Sequence, residues 1–239
     1  MTIFCWKVMI NMDASFGYID ENLRIIRENI ADAAEKYRSP GDRIRIMAVT
    51  KTVPPEAVNH AVSLGVDLLG ENRVQEYQSK ADAYDKSAEV QFIGHLQTNK
   101  VKYIISSVSM IQSVDSIRLA QEIDRLAVKN GLVMDVLCEV NIGGEESKSG
   151  IAPAELEGLL KEVSSLEGLR LRGLMTIPPP SDSDVFLGRM QELYNRFAPE
   201  YSFDTLSMGM THDYAQAVKY GSTLVRIGTG LFGARNYNK

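Results

Sequence analysis

From residue 44 onward the chain alternates between two patterns. Short runs rich in Val, Ile, Leu and Met are each followed by a stretch whose apolar residues fall three and four apart. The runs are IRIMAVT (44–50), VDLLGE (66–71), VQFIGH (90–95), SMIQSVD (109–115), VMDVLCEVNI (133–142), RLRGLMTI (170–177), FDTLSMG (203–209) and TLVRIGT (223–229). Most are continuous rather than alternating, which is how a strand reads when both faces of a parallel sheet are covered. Between them lie helical patterns: PPEAVNHAVSLG, NRVQEYQSKADAY, TNKVKYIISS, SIRLAQEIDRLAVKNG, APAELEGLLKEVSSL, SDVFLGRMQELYNRFA and DYAQAVKY. Strand–helix alternation predicts βα units joined by right-handed crossovers. Eight such strands fit an α/β fold, a single closed (β/α)8 TIM-type barrel. An open doubly wound sheet is the competitor, but it wants a Gly-rich turn after its first strand, and AVTKTVPP has none.

Upstream, YIDENLRIIRENIADAAEKYR sets Leu23, Ile26, Ile30 and Ala33 at helical spacing, an extra N-terminal helix with acidic residues near its start. The first twelve residues, MTIFCWKVMINM, are apolar but too short to span a bilayer and lack a small-residue cleavage site. They are expected to form a disordered extension, either a leader or the product of a start upstream of Met12. Residues 13–239 are then one domain, with no low-complexity linker to divide it.

Composition narrows the function classes. The 239 residues are 44% hydrophobic and 24% charged, as in an ordinary globular protein, and the net charge of -5 leaves no footprint for nucleic acid. The two cysteines, Cys5 and Cys138, form no metal or redox spacing, so reduced thiols and a cytoplasmic setting are expected, with no metal and no membrane partner.

A barrel carries its chemistry at the C-terminal ends of its strands. Here those ends supply Lys51, Asn72, His95, Ser113, Asn141, Thr176, Ser207 and the run RIGTG. The last two strands bring Ser207, Gly209, Gly228, Thr229 and Gly230, small residues whose backbone N–H groups can approach a phosphate. Lys51 reads either as a strand-end lysine snorkelling to water or as a desolvated amine able to form a Schiff base with a carbonyl. An amine on one side of the mouth and a phosphate cradle on the other suit an aldehyde that bears a phosphate. Pyridoxal 5′-phosphate is such a molecule, and a sugar-phosphate aldolase would use the same pair. Arg226 is either a mouth ion pair or a guanidinium facing a pyridine nitrogen. In the second role it cannot accept a proton, so the ring stays a weak electron sink.

The stretches AVTKTVPPEAV, GENRVQE, FIGHLQTNKVK, QSVDS, VNIGGEESKSG, RGLMTIP, LSMGM and GSTLVRIGTGLFGAR run in order through nearly the whole chain beyond the first helix. In these motifs the sequence resembles the pyridoxal phosphate homeostasis protein family, also called the YggS/PROSC family. The resemblance implies the barrel domain of alanine racemases without their second, β-rich domain. It implies Lys51 as the Schiff-base lysine and Arg226 facing the pyridine nitrogen. Ser207, Gly228 and Thr229 would bind phosphate, with Asn72 near the phenolic side. Met208 and Met175 would line the pocket, plain barrel core being the alternative. His212 stands where relatives often carry an acidic or polar residue, beside Asp213 as the expected helix cap. His95 is either a titratable partner for ligand or satisfied by backbone, and Lys148 in GGEESKSG either gates the mouth or belongs to a solvated loop.

A racemase needs a base on each face of the substrate carbon. The second base of the racemases comes from the domain implied to be absent, and Tyr77, Tyr84, Tyr103, Tyr194, Tyr214 and Tyr220 all miss the strand ends. The expectation is therefore a carrier and buffer of pyridoxal phosphate for vitamin B6 homeostasis, with apo pyridoxal-phosphate enzymes as acceptors. An amino-acid racemase is the alternative, and a cofactor-free aldolase a third. A monomer or weak homodimer is expected, since a usual racemase dimer contact goes with the missing domain.

Overall fold

The computed structural model describes residues 2–145 and 148–234, with side chains described from Phe16 onward. Of the extension expected over residues 1–12, the backbone from Thr2 on is described and belongs to the first helix, while its side chains are not described. Eight strands close into a barrel, each parallel to its neighbours: β1 (Arg45–Val49), β2 (Leu68–Glu71), β3 (Glu89–Phe92), β4 (Met110–Val114), β5 (Met134–Val140), β6 (Leu169–Thr176), β7 (Thr205–Ser207) and β8 (Leu224–Ile227). All eight apolar runs become strands, and closure is sealed by β1 against β8, with Ala48 opposite Ile227.

The helices are α1 (Thr2–Tyr37), α2 (Pro55–Ser63), α3 (Val74–Lys80), α4 (Ile117–Lys129), α5 (Leu156–Ser164), α6 (Ser183–Tyr201), α7 (Tyr214–Lys219) and α8 (Thr229–Phe232). The pattern TNKVKYIISS, expected as an α-helix, forms only a 3-10 turn over Thr98–Tyr103. Val101 and Ile104, both fully buried, are three apart, and that spacing suits three residues per turn.

Side-chain alternation divides the barrel into an inside and an outside. Ala48, Leu69, Phe92, Ile111, Val136, Leu174, Leu206 and Val225 face outward and join the helices in the main apolar cluster. Met47, Val49, Leu68, Ile93 and Leu224 form one inner cluster, and Met110, Leu137 and Met175 a second. The helix α1 lays Ile19, Leu23, Ile26, Ile30 and Ala33 onto this shell and packs against α2, α7 and α8. Two polar ties fix its path: Asn22 donates to the Leu231 carbonyl at 3.0 Å, and Arg27 to that of Leu64 at 2.9 Å.

Two strands carry an extra residue. In β4 the register slips between Ile111 and Val114, and in the β5–β6 pair it slips between Val136 and Leu137. In β6 this lets Leu171 and Leu174 both meet the outer shell. Gly173 makes the slip possible: at φ +153° it lies so close to β7 that a Cβ would come within 1.8 Å of the Thr205 carbonyl oxygen.

Candidate functional site

The two mouths of the barrel differ in chemistry. At the N-terminal mouth a cavity of about 980 Å³ is lined by arginines and carboxylates. Asp135 pairs with Arg170 at 2.5 Å and with Arg172 at 2.7 Å, Arg172 reaches Asp204, and Arg45 faces Asp67 and Glu89. These paired charges satisfy one another across the strand starts.

The C-terminal mouth has polar groups held for something else. Met47 and Val49 point inward, so the same alternation carries Lys51 to the mouth, half-buried, past the outward Thr50. Its neighbour Thr52 has φ +63°. A β-branched residue in that region costs on the order of 1–3 kcal/mol, so the bend around Lys51 is imposed by its surroundings. Glu76 is one of these: its carboxylate accepts the Thr52 N–H at 2.5 Å.

Asn72 follows β2, next to β1 in the barrel. Its Oδ1 is buried with no hydrogen-bond partner among the described residues, as is the Oγ of Ser113, which sits in the β4 slip. Such atoms are few in native proteins and mark places where a ligand or water belongs. Gly94 keeps the ends of β2 and β3 close, since a Cβ there would meet the Asn72 carbonyl at 2.1 Å.

On the other flank of β1, the end of β8 gives Gly228 and Thr229. The Gly230 N–H donates to Thr211 Oγ1 at 3.0 Å, and the Thr229 and Thr211 hydroxyls lie 3.3 Å apart. A Cβ on Gly230 would press on the Thr211 methyl at 2.9 Å. The result is a small cradle of hydroxyls and backbone N–H groups, the set that suits a phosphate. Sequence reasoning missed Thr211, which lies in the loop after β7. Its signal was a hydroxyl two residues after Gly209, a glycine held at φ +93°.

Ser207 is not part of that cradle. It lies lower, inside the barrel, accepting from Arg226 Nη1 at 2.7 Å and donating to Gln112 Oε1 at 2.7 Å. Gln112 in turn donates to Gln91 at 2.6 Å, and Arg226 Nη2 donates to the Thr176 carbonyl at 2.7 Å. Arg226 is 3% exposed, and burial pulls its pKa down to about 10, with Glu139 and Asp213 acting against the fall. It stays charged at neutral pH and is a rigid donor at the floor of the site. Glu139, also inward on β5, has its carboxyl pushed up to about 7 by burial and by Asp115, with Arg226 opposing.

Other expectations change in detail. Closure sets β8 beside β1, so the amine and the cradle are neighbours rather than facing across the mouth. Met208 turns outward into the main apolar cluster, so only its backbone can reach the mouth, whereas Met175 is inside with Met110 and Leu137. Asn141 pins the following loop, donating to the Glu145 carbonyl at 2.8 Å and accepting its N–H at 3.2 Å. Lys148 pairs with Glu145 at 2.5 Å and leans on the Pro178 carbonyl at 3.4 Å. His95 is exposed, with Ser149 at 3.4 Å and Asp115 at 3.7 Å rather than backbone as its partners. His212 is exposed, and Asp213 turns its carboxylate back to the Met210 N–H at 2.7 Å instead of capping α7. Cys138 is buried, its thiol pushed up to about 12 by burial, and so inert.

The family described as alanine racemase, N-terminal domain, matches residues 22–236. A pyridoxal phosphate homeostasis protein of Aquifex aeolicus is 43% identical over 224 residues, 91% of this chain and 98% of that protein. The chain belongs to the pyridoxal phosphate homeostasis protein family. Its Escherichia coli member is 37% identical over 233 residues, covering 92% of this chain and 98% of its own. Among solved structures, PipY of Synechococcus elongatus with PLP bound superposes at TM-score 0.76 and 29% identity, over 90% of this chain and 100% of that one. An alanine racemase of Clostridium difficile shares the fold alone, at TM-score 0.71 and 19% identity; the match covers 91% of this chain and only 58% of the racemase. No helix among the described residues is long and apolar enough to cross a membrane, and none of their acidic, His or Cys side chains group as a metal site.

Proposed function

We propose that this chain binds pyridoxal 5′-phosphate at the C-terminal mouth and acts as its carrier, a holder and donor rather than a catalyst. The observation that carries the reading is the grouping on one rim of Lys51, the unpartnered Asn72 Oδ1 and the Thr211–Thr229–Gly230 cradle. The cofactor would supply an aldehyde that an amine can hold reversibly and a phosphate that anchors it. Lys51 is the amine. Thr211, Thr229 and the backbone of Gly228 and Gly230 suit the phosphate, and Asn72 offers its orphaned oxygen to a hydroxyl. Arg226, fixed by Ser207 and Thr176, is a donor that keeps its own protons. The family members' shared name, and PLP in the PipY structure, support the same assignment.

The carrier reading is supported by the tyrosines. Tyr84 is buried on Glu71, Tyr77 donates to the Ser107 carbonyl at 2.7 Å, and Tyr214 accepts from Asn29 at 2.7 Å. Each of these three is engaged away from the mouth, so none of the three stands ready as the second base that racemisation requires. Apo enzymes that use pyridoxal phosphate are the acceptors we assign to it.

The test is spectroscopic. The wild-type chain mixed with pyridoxal phosphate should develop the absorption of a bound imine, and Lys51→Ala should not. A wild type that stays colourless overturns cofactor binding. Sustained racemisation of a free amino acid well above the rate of free cofactor overturns the carrier role.

A further inference from the structure

GENRVQE contributes two carboxylates besides Asn72, and both lie behind Lys51 rather than beside the ligand. Glu71 ends β2 and faces outward, 0% exposed. Its Oε1 accepts the Tyr84 hydroxyl at 2.5 Å and the Thr50 hydroxyl at 2.6 Å, while its Oε2 is buried without a partner among the described residues. Thr50 Oγ1 is also 3.1 Å from the Gly70 carbonyl. A hydroxyl has one proton, so Thr50 cannot donate to both. The Gly70 carbonyl already accepts the Thr50 N–H at 3.1 Å, so the Thr50 hydroxyl gives its proton to Glu71 Oε1, as the Tyr84 hydroxyl does. Glu71 thus holds two hydroxyls on one oxygen in a fully buried place. Glu71, facing Tyr84, Lys80 and Glu76, has its pKa raised chiefly by burial, with Glu76 adding to the rise and Thr50, Tyr84 and Lys80 opposing.

The residues on either side of Lys51 are therefore both held. Thr50 is held through its hydroxyl and through its carbonyl, which accepts from Lys80 Nζ at 3.2 Å. Thr52 is held through its N–H on Glu76, which Lys80 also pairs at 2.5 Å.

We propose that Glu71 is a positioning residue for Lys51: it clasps Thr50 and so sets where the Lys51 amine stands and how it is solvated. The inference rests on Lys51 being the reactive amine of the proposed function, but it can be read without the cofactor.

The experiment is trace acetylation of the full-length chain with acetic anhydride across the neutral to alkaline range. Labelling of Lys51 is quantified by mass spectrometry against the exposed Lys36. Glu71→Gln, whose amide oxygen can still accept from Thr50 and Tyr84, should reproduce the wild-type profile. Glu71→Ala should change the relative reactivity of Lys51 by about fivefold, what one net hydrogen bond is worth in an equilibrium. An unchanged profile in a folded Glu71→Ala chain overturns the proposal. A Gln variant that behaves like Ala overturns positioning through these hydrogen bonds. Should Glu71→Ala not fold, Thr50→Val removes the same link, and an unaltered Lys51 there is equally fatal. Pyridoxal phosphate titrated into the wild type in parallel separates the two ideas: failure to bind sinks the proposed function, while the labelling still judges Glu71.

Discussion

A single hydroxyl shows how residue-level placement alters the functional reading. Thr211 takes the cradle position that the sequence had suggested for Ser207, because Ser207 is spent on Arg226 and Gln112. Thr211→Val is expected to weaken binding of pyridoxal phosphate by about tenfold, as for loss of a hydrogen bond to a charged group. Binding of pyridoxal, which lacks the phosphate, should not change; paired titrations of the two vitamers check this. Glu139 makes a second, cofactor-free prediction. Its carboxyl titrates near 7 in the fold against an ordinary 4.5, so between these values the native chain holds a proton that the unfolded chain releases. Stability contributed at this site is thus full below the lower value and declines as pH rises to the upper one. Glu139→Gln should remove that decline. The denaturant midpoint of the variant, relative to wild type, is expected to move in its favour from about pH 5 to about pH 8.

At the scale of elements, the strands were legible because burial on both faces leaves an unbroken apolar run. Their ends were less so: the last strand residue and the first loop residue are chemically alike at a barrel mouth. The β6 slip was not legible at all, since RLRGLMTI reads as a regular strand. Its reason is the contact of Gly173 with β7, and Gly173→Ala should cost about 3 kcal/mol or more, or abolish folding, in equilibrium unfolding. The 3-10 turn after β3 was misread as an α-helix because spacings of three and four overlap over so short a stretch. By contrast α1 was plain from its apolar spacing from Tyr18 onward, though not its start at Thr2. Leu23, 1% exposed, packs that helix onto the barrel; Leu23→Ala is expected to cost about 2–5 kcal/mol in the same assay.

For the whole molecule, a ligand that binds only the folded barrel must stabilise all of it. Saturating pyridoxal phosphate at a hundred times its Kd should add about 2.7 kcal/mol and raise the thermal midpoint. Lys51→Ala should lose most of that gain; a calorimetric scan with and without ligand decides it. The sequence by itself determined the barrel and the two kinds of residue on its rim, an amine after the first strand and glycines with a threonine after the last. It could do so because strand burial and the need for small residues near a phosphate are local demands that each segment answers alone. Only the tertiary structure decided which polar residues meet. Ring closure made β8 the neighbour of β1, so Lys51 stands between Asn72 and the cradle. The inward and outward alternation of eight strands sent Ser207 to the floor and Met208 to the shell, and placed Glu71 behind Lys51. These pairings join residues far apart in the chain, and no local pattern encodes them; they follow from a closed sheet in which every strand has two partners.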